Sequence, residues 1–199
     1  MKRIAAVVGA ALAISLGSAG AAHADGNPPP MPTCGGGYIA PPMSTHLRYT
    51  PARWDIGDDP DDGTLGIAAP RGWSFVRTPD GEGRFHHKRG DFLLSLRTTT
   101  RPATPAAHMS DQVRDLAGTT GLKITGQQTK VVGDQRWATL SYRWTSMGEP
   151  RSVTVRWIAF GTDPAAEAAL VLTVAARPLD GPGLHAMLSH VTPTVRLAG

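Results

Sequence analysis

The chain has a single cysteine in 199 residues, Cys34. One thiol cannot close an internal disulfide, so the fold must hold by burial alone, and the only disulfide open to it is a Cys34-linked dimer. Asparagine also occurs once, as Asn27 before Pro28, so there is no glycosylation sequon. After the first two dozen residues no apolar run is long enough to span a bilayer. The Gly-x-Ser-x-Gly elbow, the His-Glu-x-x-His metal motif and the phosphate-cradling glycine loop are all missing. Charge is nearly balanced as well. Discounting Lys2 and Arg3 with the leader leaves a surplus of two positive charges, scattered rather than blocked, which argues against nucleic acid as a partner.

What is present begins with an export signal. Lys2 and Arg3 precede the uncharged apolar run Ile4 to Leu16, and small residues follow to Ala22-His23-Ala24. This order predicts a signal peptide over 1–24, cleaved after Ala24, and a secreted or extracytoplasmic protein with no stable membrane span after cleavage. Residues 25–45 are rich in proline and glycine and read as a disordered tether. Cys34 lies ten residues into the mature chain behind Met31-Pro32-Thr33, not at a lipidation point, so it reads as a passive tail residue.

Residues 46–199 carry the pattern of one globular domain. "TLGIAAPRGWSFVR" reads as strand, turn and strand, and "GRFHHKRGDFLLSLRTT" as a hairpin whose second arm sets Phe92, Leu94 and Leu96 on its more buried face. "PAAHMSDQVRDLAGTTG" is helical, with Ser110 as N-cap and Met109, Val113 and Leu116 at helical spacing. Strands follow over 124–132, 135–145 and 151–160, turning at Gly133-Asp134 and Gly148-Glu149-Pro150. On the second, Ala138, Leu140, Tyr142 and Trp144 oppose Trp137, Thr139, Ser141 and Arg143. An almost wholly apolar strand, 168–176, suits a central position, and a short helix, 184–190, precedes an extended tail. Strands, helix, antiparallel strands and helix, with hairpin-length connections, predict an α+β fold: a twisted antiparallel sheet with helices packed on it. An all-β sandwich is the alternative.

The segments "LGIAAPRGWSFVR", "FLLSLRTTTRPA", "SDQVRDLAG", "GQQTKVVGDQRWATLSYRW", "RSVTVRWIAF" and "LHAMLSHVTPTVRL" resemble the PsbP-like sandwich. They resemble in particular actinobacterial exported proteins of the LpqN-type lipoprotein group, across roughly Tyr49 to Leu197. The chain departs from the lipoprotein members by lacking a cysteine at the cleavage point. The resemblance implies a non-enzymatic binding or assembly module and supplies no catalytic residues.

The polar clusters have plain explanations. Asp58, Asp59, Asp61 and Asp62 do not fit a calcium loop, because proline falls at the third ligand position and Ala69 at the twelfth. Adjacent histidines, His86 and His87, point opposite ways on a strand, and His185 and His190 are five apart, off the helical register that would pair them. Arg89-Gly90-Asp91 is a common tripeptide at a turn. No metal and no cofactor is called for. The candidate ligand-binding residues are Trp137, Arg143, Arg156 and Trp157, an aromatic and cationic set suited to stacking on a sugar or clamping an anion. The sequence therefore points to an exported, non-catalytic binding or scaffolding domain at or outside the cell envelope, whose partner is a protein or envelope ligand. A secreted hydrolase of envelope or extracellular polymer, using groups gathered in space, is the alternative.

Overall fold

The computed structural model describes residues 41–59, 62–87, 92–146, 149–161 and 163–198. The predicted signal peptide, most of the predicted tether, Cys34, Lys88 and Arg89-Gly90-Asp91 lie outside the described residues.

Among the described residues, ten strands make two antiparallel sheets, accompanied by two α-helices. The larger runs β3(Ser74–Arg77), β4(Gly83–His86), β5(Leu93–Thr98), β9(Leu170–Ala176), β8(Glu149–Phe160), β7(Gln135–Ser146), β6(Leu122–Val132) in spatial order, and the smaller runs β1(Tyr49–Asp55), β2(Thr64–Pro70), β10(Arg196–Ala198). The architecture is α+β, with helices packed on a sheet as the sequence predicts. Strand β9 is central, between β5 and β8, and six of its seven residues are buried. That burial is the physical meaning of its almost wholly apolar run, broken only by Thr173: both faces of the sheet are covered there.

One face of the large sheet packs on α1(Pro105–Leu116), through Met109 with Val113 and Leu116 against Leu140, Tyr142, Val155 and Trp157. The other face packs on the small sheet and α2(Gly181–Val191). There Leu94, Leu96, Leu172, Val174 and Ile158 meet Leu65, Ile67, Met187 and Val191. Alternation along β7 and β8 is as predicted, so each strand sends one row of side chains into each core.

The differences from the sequence reading have local causes. Helix α1 starts six residues earlier than a Ser110 cap requires. Thr104 is the N-cap, its Oγ1 accepting the Ala107 N–H at 3.3 Å, and Pro105 occupies the first turn, where its missing N–H costs nothing. Ser110 lies inside the helix and donates back to the Ala106 carbonyl at 3.0 Å. Strand β1 was not legible because Pro51 interrupts its pattern; β1 is an edge strand of the small sheet, where proline is tolerated. Glu149 and Pro150 belong to β8 rather than to the turn before it.

The packed chain also begins earlier than a tether reaching residue 45 implies. Met43 is buried in the main core, and its N–H donates to the fully buried Asp180 carboxylate at 2.8 Å. The Arg177 guanidinium donates to the Pro41 carbonyl at 3.0 Å. Gly183 makes the fit possible: a Cβ there would stand 2.7 Å from both the Cβ and the carbonyl oxygen of Met43.

Candidate functional site

Four residues were singled out by sequence, and the structure parts them. Trp157 faces α1, 4% exposed, with its ring parallel to His108 at 6.4 Å. It is a core residue of the opposite side. Trp137, Arg143 and Arg156 share the side facing α2 and the small sheet, but Arg143 pairs across to Ser152, four residues along β8 from Arg156, about 13 Å away. Arg143 is exposed. The described part of the Phe85-His86-His87 loop belongs to β4 and the residue after it, four strands from β7, about 19 Å away. Among the described residues these groups do not all come together.

Trp137 and Arg156 do meet. The Arg156 guanidinium lies 4.4 Å from the Trp137 ring centroid. Its Nε donates to Thr139 Oγ1 at 3.0 Å, and its Nη1 donates to Thr192 Oγ1 at 2.5 Å. Thr192 Oγ1 donates in turn to the Leu188 carbonyl at the end of α2. Burial pushes the Arg156 guanidinium down to about 10, which leaves it cationic at neutral pH. The pair thus ties β7 and β8 to the end of α2 and presents no open stacking face, since Trp137 is only 8% exposed.

Above this pair the surface opens. A shallow hollow of about 330 Å³ lies at the end of the sheet, lined by Asp134, Gln135, Phe160, Pro193, Arg196 and Leu197. Gln135 forms part of its floor; it is buried and accepts the Trp137 indole N–H at 3.1 Å. The Arg156–Thr192 bond fixes the residue preceding Pro193. Arg196 donates to the Pro193 and Val195 carbonyls at 2.9 and 2.7 Å, which holds the C-terminal wall in place. Phe160 and Leu197 are 36% and 41% exposed, and Val132, across Gln135 from Phe160, is 37% exposed. The hollow therefore combines exposed apolar side chains, Phe160 and Leu197, with a polar floor at Gln135 and with one carboxylate and one guanidinium.

Sequence reasoning missed most of this lining because it comes from three distant stretches: the β6–β7 turn, the end of β8 and the C-terminus. The available signal was Phe160, the last residue of a strand row that already held Arg156 and Ile158. Among the described residues no group of three or more His, Cys, Asp or Glu side chains is placed to hold a metal ion.

No protein-family model matches the chain, and no curated protein matches it by sequence. Solved structures do. The solution structure of the cyanobacterial PsbP, CyanoP, from Synechocystis sp. PCC 6803 is similar with a TM-score of 0.50 and 16% identity, over 83% of this chain and 97% of that one. The fold is PsbP-like. LpqN, involved in cell envelope biogenesis of Mycobacterium tuberculosis, is similar with a TM-score of 0.49 and 18% identity, over 77% of this chain and 92% of that one. At such identities a PsbP-like frame is shared, not a set of site residues, so the hollow is read from its own geometry.

Proposed function

We propose that this chain is an exported, non-catalytic binding or scaffolding domain that meets an envelope partner through the hollow at the end of its large sheet. One observation carries the reading: Phe160 and Leu197 stand exposed together in the lining of a concavity whose floor residue, Gln135, is held by the Trp137 indole N–H. Exposed apolar side chains grouped at a preformed concavity mark a place of contact rather than chance exposure. The predicted leader, residues 1–24, gives the destination, outside the cytoplasm.

The hydrolase alternative needs two titratable groups within reach of a reacting atom. The hollow's lining has one carboxylate, Asp134, beside a guanidinium, Arg196, and contains no histidine. The test is binding of the mature chain to separated protein, glycan and lipid fractions of the envelope. Saturable binding to one fraction, lost in Phe160→Glu and Leu197→Glu, supports the reading. Turnover of a defined polymer, abolished by a single side-chain change, overturns it.

A further inference from the structure

Strand β6 is the outer strand of the large sheet, and among the described residues its far side has no neighbouring strand. It is eleven residues long, and every residue from Thr125 to Val132 is exposed. The opposite edge, β3, is only four residues long. A long uncovered edge offers a row of unpaired backbone N–H and C=O groups to an incoming strand, and proteins usually blunt such edges. Here the register slips between Ile124 and Gly126, but from Gly126 to Val132 the pairing with β7 is regular.

The charges on this edge are of one sign. The slip places Lys123, Gly126, Gln128, Lys130 and Val132 on one side, the side that also carries Arg143. Lys123 stands directly across from Arg143. Like charges facing each other across strands destabilise a sheet. Among the described residues Lys123, Lys130 and Arg143 make no ion pair, and no acidic side chain lies on this side of β6, β7 or β8. The fold itself supplies no negative charge on this side. An acidic visitor along Gly126–Val132 would supply one to Lys130.

We infer that β6 is a strand-addition site for an extended acidic segment of a partner protein. The segment pairs its backbone with Gly126–Val132, sets a carboxylate opposite Lys130, and lays apolar side chains against Val131 and Val132 at the strand's end. A second copy of this chain is the poorer occupant: symmetric pairing centred on Thr129 sets Lys130 diagonal to its own mate, with no acid to relieve either. The inference rests on the binding-domain reading but uses an edge distinct from the hollow.

The probe is a nine-residue peptide alternating glutamate with valine or threonine, together with its lysine counterpart, titrated into the mature chain. Peptide anisotropy reads binding, and backbone amide exchange locates it. The glutamate peptide should bind and slow exchange within 126–132, while the lysine peptide does neither. Lys130→Glu, an exposed change, should weaken the glutamate peptide about fivefold and admit the lysine peptide. The inference is overturned if neither peptide binds, if protection falls elsewhere, or if Lys130→Glu leaves the preference unchanged. It is equally overturned by concentration-dependent protection of 126–132 in the chain alone, which makes a second copy the occupant. Envelope binding that is lost in Phe160→Glu while both peptides fail would sink the edge and leave the hollow standing.

Discussion

Replacing Asp180 tests how the ends of this domain are tied together. Its carboxylate is fully buried and accepts four N–H groups: Met43 N at 2.8 Å, Arg177 Nη2 at 3.0 Å, Arg177 Nε at 2.9 Å and Arg177 N at 3.2 Å. In Asp180→Ala the Met43 N–H is left buried without an acceptor, and the Arg177 guanidinium, whose side chain is 19% exposed, loses its counter-charge. Breaking a buried charge pair on one side costs ~3–5 kcal/mol, and partial access of Arg177 to water puts this case near the lower figure, about 3 kcal/mol. For a domain of this size each kcal/mol lowers Tm by roughly 3 °C, so the midpoint should fall by about 9 °C. Calorimetry and urea unfolding at pH 7 measure the loss, and amide exchange at Met43 shows whether the entering segment has come away. Arg177→Met combined with Asp180→Ala should be less damaging than the two singles summed, because neither charge then remains buried alone. A loss below about 1 kcal/mol, or strict additivity of the pair, refutes the reasoning.

Three further outcomes are expected. Arg156→Ala should cost about 2 kcal/mol, from the lost cation–π contact and the lost hydrogen bonds to the Thr139 and Thr192 hydroxyls, and should change the near-ultraviolet circular dichroism of Trp137, whereas Arg156→Met keeps the stem packing and costs less. His86 and His108 are both held below the ordinary value of 6.5, chiefly by burial, so they bind protons more readily unfolded than folded; stability should be full above pH 6.5, decline as pH falls below it, and decline less in the double replacement by glutamine. Asp80 lies below its ordinary 3.8, chiefly through the Thr78 hydroxyl hydrogen bond, so a separate acid loss should begin only near that pH. Intact mass of the exported protein should equal a chain beginning at Asp25 with no acyl addition; a lipid increment on Cys34 would refute the leader assignment.

Much of the fold was legible because it rests on local periodicity. Alternation along β7 and β8 announced the two-sided sheet, and the almost wholly apolar run over 168–176 announced its central strand, Leu170–Ala176. Element ends were less legible. Ser110 looked like a cap because a capping residue is recognised by type, while the cap in use, Thr104, was chosen by Pro105 behind it. Strand β1 was hidden by Pro51, which only its edge position tolerates. The candidate site fared worst. Trp137, Arg143, Arg156 and Trp157 were offered as one set, but sequence could not show that α2 and Thr192 meet Arg156, or that Trp157 faces away.

The sequence by itself determined which side chains share a face, because the two-residue period of a strand is a property of the backbone and needs no partner. It could not determine which faces are covered. That depends on where α1, α2 and the small sheet come to rest, and the last two are tied by contacts between residues more than a hundred positions apart, such as Met43 with Asp180 and Ala68 with Thr194. Tertiary packing alone therefore decided that Trp137 and Arg156 became a buried brace. It also left Phe160, Leu197 and the edge of β6 open to a visitor.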